Sequence, residues 1–266
     1  MIKFFRQIRQ RLLTENPPAG RAGKFSKYLL YAIGEIVLVV VGILIALSIN
    51  NWNEQQKRDV LEKEYYCRLK EDVRQDEEKI ESLIIAVKKR LVASNEAARL
   101  LQKSDPLKTE VGRQFEFALK GSYSTFVANN AAFEDLKSGA NLNIIKDKRV
   151  INALNNYFNK IKGYTDVIRV HTDLMVNNQF SYSDKLSTGW VHGKMTTSRF
   201  LKGMDKDVFN AINISEQEYF SEEIKYSLYN DALLHISSNA RTKELLMLIK
   251  EEIYILLKLF DNKCDT

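Results

Sequence analysis

The sequence predicts an all-α fold: one N-terminal transmembrane helix, then a long helix that leads into a helical-bundle domain. Three observations carry this expectation. Leu29 to Ile49 is an apolar run of 21 residues whose one charged side chain is Glu35. The chain has only three prolines and 11 glycines, and Pro106 is the one proline after residue 50. Breakers so sparse leave long helices uninterrupted. Beyond residue 50 the apolar residues recur at spacings of three, four and seven, the period of one helix face.

As a helix, 21 residues span about 31 Å, which matches a hydrocarbon core of about 30 Å. The membrane segment with its flanks is placed at 28–50. Tyr28 and Tyr31 mark one predicted interface and Trp52 the other, where amphipathic rings sit at headgroup level. A cleaved signal peptide is the rival reading. It needs a shorter apolar run and a small-residue cleavage site, whereas this run ends in Ser48-Ile-Asn-Asn-Trp52, so an uncleaved anchor is expected.

Residues 1–27 form a basic tail with seven Lys/Arg against one acid, Glu15. Residues 50–266 hold 33 basic against 32 acidic side chains, so the net charge of +6 belongs to the tail. Arg6, Arg9, Arg11, Lys24 and Lys27 are therefore expected to meet anionic lipid headgroups, each gaining about 1 kcal/mol near the surface. Nucleic acid is not an expected partner, because no basic face belongs to the folded domain. Basic residues within reach of the membrane number five on the N-terminal side (9–27) and four on the other (50–69). The short positive tail resists translocation, while long domains cross largely regardless of charge. The expected arrangement is an N-terminus in the cytoplasm and a periplasmic C-terminal domain.

Glu35 costs a few kcal/mol as a carboxylate in hydrocarbon, which makes it a functional candidate by default. The milder reading keeps it protonated, or reaching for the headgroups from about 10 Å depth, seven residues at the helical rise. Gly34, Leu38, Gly42 and Ala46 recur every four residues as one stripe, with Glu35 at its margin. Gly42-xxx-Ala46 is a small-xxx-small pair that lets two membrane helices approach closely. The set predicts a helix–helix contact, with protonated Glu35 donating a hydrogen bond across it.

From 51 to about 104 the pattern predicts one long helix continuing from the membrane. Its stripe is Leu61, Tyr65, Leu69, Val73, Ile80, Leu83, Ile84, Val87 and Leu91, with Asp76 spoiling a strict heptad. Ser104-Asp105-Pro106 ends it. Residues 105–266 are read as the remainder of the helical domain. Helices are expected over about 108–120, stopping at Gly121, and over 131–138, with Gly139 as C-terminal punctuation. Asp147 opens a further helix to about Asn177. Residues 181–214 look like an irregular excursion, and Ser215-x-x-Glu218 is a capping box for a C-terminal helical region to about Phe260, bending near Ser237–Asn239.

Chemical motifs are few. His171, His192 and His235 share no metal-binding spacing, and His171 and Asp173 point apart on a helix, where i and i+2 do not meet. No phosphate-binding glycine loop and no Gly-x-Ser-x-Gly are found. Glu134-Asp135 and Glu222-Glu223 read as solvated charge. Phe115, Phe117, Tyr123, Phe126 and Phe133 read as core rather than as a ligand pocket. An enzymatic reading would need His192 or Asp184 to gather polar groups in the irregular region. Catalytic, cofactor and metal residues are accordingly expected to be none. Cys67 and Cys264 are expected as two unpaired thiols, since distant cysteines seldom come within about 7 Å; pairing would require the first and last helices side by side in an oxidising compartment.

The stretch Phe25 to Glu54, with its Ile49-Asn-Asn-Trp-Asn53 exit, resembles the signature of a family of uncharacterised single-pass membrane proteins of Bacteroidota. Met1–Leu13 is similar too, and so, more loosely, is Phe133 to Tyr157, where Asp135-Leu-Lys-Ser-Gly139 precedes Asn143-Ile-Ile. The resemblance implies a bacterial envelope protein with Glu35, Gly42 and the Asn-Asn-Trp-Asn exit as parts of its signature, and it brings no catalytic residues. The resulting expectation is a non-enzymatic, membrane-anchored interaction or sensory module, self-associating or joined to another membrane protein. The alternative is an accessory or scaffold subunit of a larger envelope complex that uses Glu35 and the Gly42/Ala46 face.

Overall fold

A computed structural model of the chain describes residues 21–186, 203–211, 219–261 and 263–264. Arg6, Arg9, Arg11, His192, Ser215, Glu218 and the side chains of Lys24 and Lys27 lie outside the described residues, as does most of the excursion at 181–214. The described elements are helical: α1 (Arg21–Leu101), α2 (Lys108–Leu119), α3 (Ala131–Ser138), a 3-10 turn (Asn141–Asn143), α4 (Lys148–Gln179), α5 (Tyr182–Leu186), α6 (Lys206–Ala211) and α7 (Glu222–Phe260). No strand occurs among the described residues. The fold class is all-α, as the spacing predicts. The chain divides into two compact units, Met1–Val60 and Leu61–Thr266, and α1 contributes residues to both.

In the first unit the described side chains of the apolar run are exposed around the whole helix, from Tyr28 to Ile49. α1 is the one described helix long and apolar enough to cross a membrane. The described part of α1 opens at Arg21, so the helix already covers the stretch before the apolar boundary.

In the second unit the predicted stripe of α1 is largely the buried one: Tyr65, Leu69, Val73, Ile80, Ile84 and Val87 are core, Leu83 and Leu91 are half-buried, and Leu61 is exposed. α7 runs antiparallel to α1. Glu81 and Arg90 along α1, and Gln102 just past its end, bond Lys250, Asn239 and Tyr229 in descending order along α7. α4 packs along α7 and contributes Val150, Leu154, Tyr157, Ile161 and Ile168 to the same core. A second core gathers Ala97 and Leu101 of α1, Val111 and Phe115 of α2, Met175, Tyr182 and Leu228.

Helix ends follow local chemistry. The Asp147 carboxylate accepts from the Arg149 backbone N–H and caps α4, as expected. α7 starts at Glu222 with Ser221 as its cap, later than the predicted box at Ser215, and continues as one helix through Ser237–Asn239. The left-handed residue after α3 is Ala140 (φ 53°), not Gly139. Gly139 leaves room for its neighbours instead: a Cβ there would lie 2.7 Å from Asn141 Nδ2, the movable end of a side chain, and 3.1 Å from the Asp135 carbonyl.

The cysteines correct an expectation. Cys67 and Cys264 form a disulfide, with Cα atoms 5.0 Å apart. The antiparallel pairing of α1 with α7 brings a residue near the start of the packed part of α1 beside the residues just past Phe260. Sequence separation of 197 therefore says nothing about spatial separation.

Candidate functional site

Three groups of residues bear on function. The first is the predicted contact face of the apolar helix. Gly34, Leu38, Gly42 and Ala46 lie one turn apart on α1, with Glu35 next to them, and all five are exposed. A Cβ built on Gly34 or Gly42 meets nothing within 4 Å, so both glycines leave open surface where another helix backbone can approach. Tyr28, Tyr31 and Trp52 are exposed at the two ends of the run.

The second group is a ladder of acids on α1 that binds backbone N–H groups of the segment 129–146. Glu62 accepts from the Lys146 N–H at 2.7 Å, and Asp72 from the Ala132 N–H at 2.8 Å. Asp76 accepts from the Asn129 N–H at 2.8 Å and from the Tyr157 hydroxyl at 2.6 Å. Asp72 thus does for the start of α3 what its own N-cap residue Asn130 does not, satisfying a donor that has no partner within the helix, while Asp76 holds the residue before the cap. Asp76 is 1% exposed. Burial raises its pKa, and the bonds from Tyr157 and Asn129 oppose that rise. Tyr157 is shifted upward by burial and by the adjacent Asp76, so it keeps its proton and remains the donor. Arg68 pairs with Asp135 at 2.7 Å close by. An open depression of about 340 Å³ lies against Cys67, Arg68, Glu71 and Asp72.

The third group is a buried polar layer between the two cores. On α1 it is Arg90 and Ser94, between Val87 and Ala97; on α4 it is Thr172, between Ile168 and Met175. On α7 it is His235, Ser238, Asn239 and Thr242, between Ala232 and Leu245. Arg90 Nε donates to Asn239 Oδ1 at 2.9 Å, while Asn239 Nδ2 donates to Ser94 Oγ and to the Ala118 carbonyl, each at 3.3 Å. Burial lowers the Arg90 pKa to about 10, which leaves it fully charged at neutral pH. His235 Nε2 and the Tyr182 hydroxyl lie 2.9 Å apart, and burial lowers the His235 pKa to about 4, so its ring is neutral there. The layer holds a fixed positive charge and has no group of this set poised to exchange a proton near pH 7.

The sequence-level chemical candidates are not brought together. Asp173 and Asp184 are exposed and His171 is half-buried. Glu134 and Glu222 are exposed ion-pair partners of Lys137 and Lys225. Of the aromatic set, Phe115, Phe126 and Phe133 are core, whereas Phe117 and Tyr123 are exposed. Among the described residues no three His, Cys, Asp or Glu side chains are grouped to hold a metal ion. Arg90 and Asn239 are the residues that sequence reasoning misses. The signal is present: Arg90 and Ser94 continue the three–four spacing of Val87 and Ala97, so a charge stands at a core position.

A model of a family of unknown function, DUF6090, matches residues 35–211, more than half of the chain. The chain belongs to that family. The DUF6090 match opens at Glu35, runs through the apolar segment and the acid ladder, and takes in Arg90, α2, α3 and α4. No curated protein and no solved structure matches the chain.

Proposed function

We propose that this DUF6090 protein is a non-enzymatic, membrane-anchored interaction or sensory module of the bacterial cell envelope. In this reading the basic tail is cytoplasmic, α1 crosses the inner membrane once, and the Leu61–Thr266 unit occupies the periplasm. The observation that carries the placement is the Cys67–Cys264 disulfide in a chain with an exposed apolar helix. Disulfides persist in oxidising compartments and are rare where thiols are kept reduced. A phosphatase fused after Thr266 is expected to be active, and a fluorescent protein that matures only in the cytoplasm is expected to stay dark at the same site. The reverse pattern overturns the orientation.

The partner in the membrane is a second copy of the chain or another membrane protein, docked on the Gly34/Leu38/Gly42/Ala46 stripe beside Glu35. The open space above both glycines supports this face. Gly42→Ile is expected to reduce self-association at least several-fold in a membrane reporter assay, because a branched side chain separates the two backbones. Equal signals from wild type and variant would sink the contact. The accessory-subunit reading is favoured by the exposed carboxylate of Glu35 within the apolar run. It expects Glu35→Gln to lose partners in a crosslinking pull-down from native membranes.

A further inference from the structure

α4 buries Leu154, Tyr157, Ile161, Ile168 and Met175 on one face. A second apolar row runs along its outer side, where Val167, Val170 and Leu174 are 38%, 62% and 45% exposed. Gly163 continues the row one turn earlier, and a Cβ built there meets nothing within 4 Å. The spacing of four, three and four is that of a coiled-coil seam, with Gly163 and Val170 at position d of the heptad and Val167 and Leu174 at a. A glycine inside a helix costs about 1 kcal/mol relative to alanine, and this one leaves a place where a second helix backbone can come close.

The polar residues beside the row select the occupant. In the same heptad the exposed Asp166 and Asp173 stand at g, and the half-buried His171 stands at e. Two copies of α4 packed in parallel and in register set Asp166 of each opposite His171 of the other, and an imidazole N–H donates to a carboxylate in either protonation state. An antiparallel pair sets g against g, acid against acid. The contact of Asp166 with Arg169 on its own helix is an exposed pair at 3.6 Å, worth little. Three apolar side chains and a glycine fall well short of the roughly 800 Å² per partner of a standard interface, so the contact needs copies already held close. A shared membrane does this, because tethering turns the second contact into an intramolecular one. We propose that the Gly163/Val167/Val170/Leu174 row is a parallel, two-fold contact between the Leu61–Thr266 units of two copies of this chain, with Asp166–His171 pairs across it. The proposal rests on the second-copy reading of the membrane stripe.

The test uses the full chain in native membranes, with Cys67 and Cys264 joined to each other. Single cysteines are introduced in the row (Val170→Cys), off it at the exposed position c (Arg169→Cys) and in the membrane stripe (Ala46→Cys), and each protein is oxidised with copper phenanthroline. Val170→Cys is expected to form disulfide dimers about ten-fold faster than Arg169→Cys. Adding His171→Asp to Val170→Cys is expected to slow dimer formation about ten-fold by setting acid against acid, and adding Asp166→His as well is expected to restore it. Equal rates at 169 and 170, or a Val170→Cys rate indifferent to His171→Asp, overturn the contact. A Val170→Cys protein that neither crosslinks nor takes a maleimide is covered there by something other than a second copy, which also overturns it. Crosslinking of Ala46→Cys without crosslinking of Val170→Cys removes this contact and leaves the membrane contact standing. Failure at both sites removes the second-copy reading as well.

Discussion

Asp76→Ala is expected to destabilise the Leu61–Thr266 unit by about 2–4 kcal/mol, the cost of leaving one buried and one half-buried donor unsatisfied at about 1–3 kcal/mol each. The carboxylate is buried and accepts two bonds, from Tyr157 at 2.6 Å and from the Asn129 N–H at 2.8 Å. Alanine leaves the buried Tyr157 hydroxyl and the half-buried Asn129 N–H without a partner and frees the entry to α3. Tyr157→Phe removes one donor and leaves Asp76 bonded to Asn129, so about 1–3 kcal/mol is expected. Asp76→Asn keeps an acceptor and removes the buried charge, and falls between the two. Urea unfolding of the four proteins measures the series. An Asp76→Ala loss below 1 kcal/mol would show that the ladder does not hold the segment 129–146.

The same carboxylate gives a pH signature. Its folded pKa is raised above the ordinary 3.8, so the native state binds the proton more tightly than the unfolded chain. That contribution to stability is complete below 3.8 and is lost as pH rises through the folded value. Wild type is therefore expected to lose stability relative to Asp76→Asn as pH climbs from about 3.8. Asp147 acts in the opposite sense: hydrogen bonds from Arg149 and Lys263 hold its carboxyl below the usual range. Its contribution is present above the unfolded pKa and disappears as pH falls.

How much of this was legible in the sequence depends on the kind of residue. Helices were readable because periodicity and punctuation agree: Asp147 caps α4, Gly121 ends α2 with φ +70°, and the α1 stripe is the buried face over most of its length. The apolar run was readable from composition alone. Residues whose role depends on a distant partner were not readable. Asp76 looked like a flaw in a heptad because Asn129 and Tyr157 reach it across sequence separations of 53 and 81. Arg90 drew no reading because nothing local marks the bond to Asn239, 149 residues away. In each case the missing information is the antiparallel pairing of helices, which turns a misplaced polar residue into a buried junction. The general clue is a charge standing on the apolar face.

Removing the Cys67–Cys264 bond is expected to cost about 2–5 kcal/mol and to lower the unfolding midpoint by about 5–15 °C. The bond closes a loop with a sequence separation of 197, and loop-closure entropy for so long a loop sets an upper figure of about 5 kcal/mol. Other contacts also hold the C-terminal residues: Lys263 reaches Asp147 at 3.0 Å, and Phe260 packs near the Tyr66 ring. Those contacts belong to the folded state and survive reduction, so the loss arises mainly from freedom regained by the unfolded chain. Two consequences separate this account from simple fraying of the end. The Cys67→Ser/Cys264→Ser protein should match reduced wild type and show no response to added thiol. Lys263→Ala should lower stability by a similar small amount in oxidised and reduced backgrounds, because it acts on the folded state in both. If oxidised and reduced wild type unfold at the same midpoint, the cross-link does not stabilise the fold.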